Sequence, residues 1–156
     1  MSKRQKGFSL IELLIVVAII LIIAAIAIPN LLRSRMAANE ASAVGSLRTI
    51  NTAEVTYSTT YPSIGFAALS SLGGTAPCTS ATSTGACLLD DVLSAGVKSG
   101  YTFVTTAGAT SPAVTYVSNA SPSVPGQSGT RYFFSDQSGV IRYNGTAAAS
   151  ASDAAL

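Results

Sequence analysis

The sequence predicts an α+β protein: one long N-terminal α-helix, apolar along its first half and amphipathic along its second, with the second half packed on a small antiparallel four-stranded sheet. Three observations carry this prediction. An apolar run extends from Phe8 to Ile28, a 3.6-residue apolar repeat continues to Tyr57, and from Gly100 onward the repeat shortens to two. The implied organisation is a basic N-terminal stretch over residues 1–7, an apolar helical segment over 8–29, an amphipathic continuation over 30–57, and a head of loops and strands over 58–156.

At 156 residues the chain has room for one compact domain plus an extra element. Charged residues make up only 10%, against roughly 25% in soluble domains. The deficit is segregated. In the 21 residues from Phe8 to Ile28 the only polar members are Ser9 and Glu12, whereas the chain beyond Pro62 is rich in Ser, Thr, Gly and Ala, so two different solvents are implied. Histidine is absent, which removes imidazole bases, His-ligated metals and Ser-His-Asp or Cys-His nucleophiles. Two cysteines do not make a four-ligand zinc site, and no glycine-rich run leads into a lysine to cradle phosphate. No cofactor, no metal and no enzymatic activity are expected. Without Lys3, Arg4 and Lys6, six of the nine basic side chains remain against seven acidic ones, so there is no general basic footprint for nucleic acid.

A basic stretch followed by an apolar run admits three readings: a cleaved secretory signal, a plain membrane anchor, or a processed segment that keeps its apolar part. Ala25-Ile26-Ala27 fits a signal-peptidase site and would give a mature start at Ile28. Against that reading stand the length of the run and the carboxylate of Glu12 near its start, which a signal does not need.

Lys6-Gly7-Phe8-Ser9-Leu10-Ile11-Glu12-Leu13, with the apolar run on to Pro29, resembles the prepilin signature of type IV pilins and the pseudopilins of type II secretion. The resemblance covers roughly the first 30 residues. It implies cleavage after Gly7 by a membrane prepilin peptidase, which also N-methylates the new terminus, Phe8. Lys3, Arg4 and Lys6 would hold the leader in the cytoplasm. It further implies that Glu12 pairs with the N-terminal amine of a neighbouring subunit, enforcing axial register, since an unpaired buried ion costs several kcal/mol. The alternative for Glu12 is a lone interaction with the helix macrodipole.

Beyond Pro29, Leu32, Met36, Val44, Leu47, Ile50 and Tyr57 recur at helical spacing, with Asn39, Glu40, Arg48, Asn51 and Glu54 among the positions between them. Together the two halves give a helix of about 50 residues, on the order of 75 Å long. Pro29 lacks a donor and crowds the carbonyl of Ala25, so a kink or unwound turn is expected there. In the pilin family a proline at this place belongs to a segment that stretches on assembly.

In the head, Phe66 to Leu72 before Gly73-Gly74 and Leu88 to Leu93 before Gly96 read as short helices. Cys78 and Cys87 bracket a stretch of small polar residues, and a domain exported to an oxidising space favours a disulfide between them, free buried thiols being the alternative. Many pilins place their disulfide nearer the C-terminus. Four strands are then expected around Tyr101 to Thr105, Val114 to Tyr116, Tyr132 to Phe134 and Val140 to Tyr143, separated by turn clusters at Gly108 to Pro112, Asn119 to Gly129 and Asp136 to Gly139. Tyr132, Phe133 and Phe134 read as core. Asp90-Asp91 reads as a helix start, and Asp136 as part of a turn rather than a calcium loop. Asn119 and Asn144 each open an N-x-S/T triplet.

The expected function is a structural subunit of a type IV pilus-like filament: a single-pass inner-membrane precursor with its leader in the cytoplasm, then an extracellular pilin. Its implied partners are other copies of itself, the prepilin peptidase and methyltransferase, an inner-membrane assembly platform, and lipid before assembly. Arg131 and Arg142 make only a thin case for DNA. The alternatives are a periplasmic pseudopilin and, from another class, a membrane-tethered enzyme or binding module. Adhesion, twitching motility, DNA uptake and electron transfer all stay open as uses of the filament.

Overall fold

Helix α1 spans Leu10–Thr60, 51 residues. The computed structural model describes residues 8–74 and 77–156, in two units that divide after Arg35. At the start of α1 the Ser9 carbonyl accepts the amides of Glu12 and Leu13 at 3.1 and 3.3 Å. Pro29 lies inside the helix, and the unwound turn expected there does not occur. The proline removes a single donor from a long hydrogen-bonded ladder whose neighbours Ile28, Leu31 and Leu32 sustain the helical backbone. At its far end α1 closes where the Tyr61 amide bonds the Tyr57 carbonyl at 2.8 Å. Pro62 then disfavours a helical conformation at the residue before it.

In the head unit, Met36 to Leu156, α1 buries Glu40, Ala43, Val44, Leu47, Ile50, Ala53, Glu54 and Tyr57. The spacing is the expected amphipathic repeat, but its membership differs from the sequence reading. Leu32 is exposed, the stripe begins at Glu40, and both Glu40 and Glu54 sit on the buried face.

The sheet is a meander of six strands, each antiparallel to the next in chain order: β1 Val97–Lys98, β2 Tyr101–Ala107, β3 Tyr116–Pro122, β4 Tyr132–Asp136, β5 Arg142–Asn144 and β6 Ala154–Ala155. Four strands were expected. The two extra ones are two-residue edges, β1 on Tyr101 and Thr102, β6 on Arg142 and Tyr143, too short to show any alternation. The inner face alternates as β2 buries Tyr101, Phe103 and Thr105 while Thr102, Val104 and Thr106 face outward. Strand β3 runs on through Asn119 to Pro122, where a turn was expected. Its polar residues disguise it, because Ser118 is fully buried and shares a 2.8 Å hydroxyl contact with Thr105.

The two short helices are shorter than their apolar runs suggest. Helix α2 covers only Leu69–Leu72, since the Phe66 amide is spent on the Ala113 carbonyl and the Ala67 amide on Glu54. Helix α3, Asp91–Ser94, starts where the Asp90 carboxylate accepts the Leu93 amide at 2.7 Å. Leu88 and Leu89 instead donate their amides to the Leu72 carbonyl. Leu47, Ile50, Leu72, Leu93, Tyr101, Phe103 and Phe133 meet in one core. Phe134 is also buried and Tyr132 half-buried.

Candidate functional site

The first turn of α1 is organised by Glu12. Its Oε2 accepts the Ser9 amide at 2.9 Å, one half of a capping box in which the residue three places into a helix reaches back to the residue before it. The pattern Ser9-Leu10-Ile11-Glu12 spells that motif, a signal the sequence reading passed over. Within a single chain, therefore, Glu12 bonds locally. Phe8, immediately before the cap, is 77% exposed. Gly7 and the basic residues Lys3, Arg4 and Lys6 lie outside the described residues.

From Leu10 to Ile28 every large apolar side chain is exposed, Leu10 at 80% and Ile26 at 64%. Isolated apolar surface residues are ordinary, but a continuous exposed apolar helix demands lipid or protein around it. The segment is long and apolar enough to cross a membrane. Arg33 and Arg35 follow the run and are exposed.

The head contributes two buried acids with opposite electrostatics. Glu40 Oε1 accepts the Thr130 amide at 2.8 Å, the Thr130 hydroxyl at 3.0 Å and the Arg131 amide at 3.2 Å, while Oε2 accepts Arg131 Nε at 2.7 Å. Burial works against its charge, but the donors from Thr130 and Arg131 outweigh it and hold the carboxyl below its ordinary range. This cluster pins the entry of β4 to α1. Arg131 also lies over the rings of Phe133 and Tyr143, at 5.5 and 5.7 Å. Glu54, fully buried, has one partner, the Ala67 amide at 3.0 Å, and its Oε1 has none. Burial raises its pKa to about 7.

Cys78 and Cys87 form a disulfide with their Cα atoms 5.7 Å apart. The loop they close is held to α1 where the Tyr57 hydroxyl donates to the Ser83 carbonyl at 2.5 Å. Asp90 caps α3 and takes Lys98 Nζ at 2.8 Å. Asp136 Oδ1 accepts the amide and hydroxyl of Ser138, closing a turn between β4 and β5. Arg131 is engaged by Glu40, and Arg142 donates to the Asp153 carbonyl at 2.9 Å. Asn119 lies mid-strand in β3, whereas Asn144 closes a local turn by accepting the amide and hydroxyl of Thr146.

The N-terminal geometry, an exposed apolar helix with one carboxylate in its first turn, is that of a prepilin-type segment, and residues 2–28 match the prokaryotic N-terminal methylation motif. Over 38 residues, 24% of this chain, the protein is 63% identical to the type IV wide pilus major component PilA4 of Thermus thermophilus, covering 29% of that relative. It is 45% identical over 56 residues to the type IV major pilin protein PilA of Myxococcus xanthus, covering 36% of this chain and 26% of that one. The chain thus spans less than a third of the length of these curated relatives. No solved structure matches it. The likeness to type IV pilins lies in the N-terminal segment.

Proposed function

We propose that the protein is a structural subunit of a type IV pilus-like filament. The observation that carries this reading is the exposed apolar helix from Leu10 to Ile28, broken only by Glu12, inside a matched methylation motif. In the precursor, lipid surrounds that helix and the basic leader stays in the cytoplasm. A prepilin peptidase cuts after Gly7 and methylates the amine of Phe8. Subunits then leave the inner membrane through an assembly platform, and their apolar helices exchange lipid for one another. Lipid and leucine are similarly apolar, so that exchange has little hydrophobic gain, and specificity rests on packing and on polar contacts.

Glu12 supplies the polar contact. In the single chain its carboxylate closes the first turn on the Ser9 amide, which leaves lone pairs for the methylated ammonium of the next subunit. An offset neighbour would strand both ions in a low-dielectric interior, so the pair sets register. The head, fastened to the second half of α1 by the core and by Glu40, forms the outer, extracellular surface.

Mass spectrometry of the N-terminal peptide of protein sheared from the cell surface tests this reading. A methylated Phe8 at the mature N-terminus is the expected result. A mature start at Ile28 would mean that signal peptidase had acted, and the filament assignment would fall.

A further inference from the structure

Glu54 plays no part in assembly as proposed above, and its surroundings are unusual for an acid. It projects from α1 into the head with no exposed surface, accepts one hydrogen bond, from the Ala67 amide, and leaves Oε1 unpartnered. The ionisable groups that sense it are Tyr57 on the same helix and Tyr116 on β3, both phenols that are neutral at neutral pH. Among the described residues of the head, the cations are placed elsewhere: Arg131 with Glu40, Lys98 with Asp90 and Arg142 with the Asp153 carbonyl, while Arg48 is on the exposed face of α1. Asp136 also acts on Tyr116, and adds negative rather than positive charge.

The segment that reaches Glu54, Ile64 to Ala67, is a strap that begins where the Ile64 and Gly65 amides donate to the Tyr61 carbonyl at 2.9 and 3.0 Å. Ile64 and Phe66 exchange hydrogen bonds with Ala113, at 2.7 and 3.0 Å, and Ala67 reaches Glu54. Gly65, at φ +82°, passes so close that a Cβ there would clash with the Ala113 carbonyl oxygen. The Phe66 ring rests on Tyr116, centroids 4.8 Å apart. A neutral carboxyl tolerates this place with one hydrogen bond. A carboxylate does not, because its second oxygen has neither donor nor counter-charge.

We propose that Glu54 is a proton-operated clasp, which fixes the strap Ile64–Ala67 against the helix when neutral and releases it to solvent when ionised. The sign follows from linkage. The closed state holds the proton up to about pH 7, whereas an open, hydrated carboxyl has an ordinary pKa of about 4.3. Closure is therefore firmest below the ordinary carboxylate range, weakens as pH rises toward 7, and levels off above it.

Amide hydrogen exchange of the full chain in detergent micelles, corrected for intrinsic rates, tests the clasp in wild type beside Glu54→Gln. Protection at Gly65 to Ala67 should fall at least about tenfold from pH 5 to pH 7 in wild type, with β2 to β4 unchanged, and stay flat in the Gln variant. Equal profiles in the two proteins, or a loss spread evenly through the sheet, would overturn the proposal. If Glu54→Gln does not fold, the side-chain carboxyl carbon resonance of Glu54 in wild type decides. A midpoint near 7 that coincides with the loss of protection at Gly65 to Ala67 supports the clasp, and one in the ordinary carboxylate range removes it.

Discussion

The two halves of α1 are built from the same apolar residue types and meet opposite fates. Leu13, Leu14 and Ile15 are exposed, whereas Leu47 and Ile50, further along the same helix, have no exposed surface. The difference lies in pattern. Where apolar residues fill every position, no single neighbouring sheet can cover them, and the helix requires an apolar medium on all sides. Where they recur every three or four residues, one sheet face is enough. The acids obey the same division: Glu12, in the uniformly apolar half, accepts the Ser9 amide of its own first turn, while Glu40 finds four donors within its own head.

The contrast breaks most sharply at Glu12. In Glu12→Ala, surface filaments detected by shearing and immunoblotting should vanish, while the melting temperature of the head in detergent stays at the wild-type value. A drop in head stability would mean that the two halves are not independent in this respect. Next in size is a matched pair of truncations. Leu47→Ala should lower head stability by about 2–5 kcal/mol in denaturant titration, from lost burial plus a cavity, whereas Leu14→Ala should leave it unchanged. Smaller again is the effect of opening the disulfide. With Cys78 and Cys87 at a sequence separation of 9, Cys78→Ser with Cys87→Ser should cost the head roughly 2–3 kcal/mol and leave processing at Gly7 untouched, as read by the mass of the mature chain.

How much of this could be read in the sequence depended on whether apolarity or something subtler carried the information. The long helix was legible because its periodicity is strong, and β2 because Tyr101 and Phe103 alternate with outward Thr102 and Val104. Strand β3 was half-hidden because its inner face is built partly of Ser118 and Ala120, which look like turn or surface residues until a hydroxyl partner on β2 is seen. Glu40 and Glu54 were read as lying between the apolar positions. Yet 40, 44, 47, 50, 54 and 57 are one helical row, so their position marked them as buried even though their type did not. The Ser9 to Glu12 capping box was fully spelled out and went unread. The donors gathered at Glu40 were illegible, since Thr130 and Arg131 are some 90 residues away and nothing local joins them.

That last distance has an entropic consequence for the head. Sheet neighbours are always consecutive in the chain, so each hairpin can zip from its own turn with little loop entropy. Joining Glu40 to Thr130 and Arg131 instead closes a loop across nearly the whole head. Of the contacts that build the head, the landing of the sheet on the helix therefore carries the larger loop-closure cost. Until the sheet lands, the Leu47 and Ile50 face of the helix has no cover.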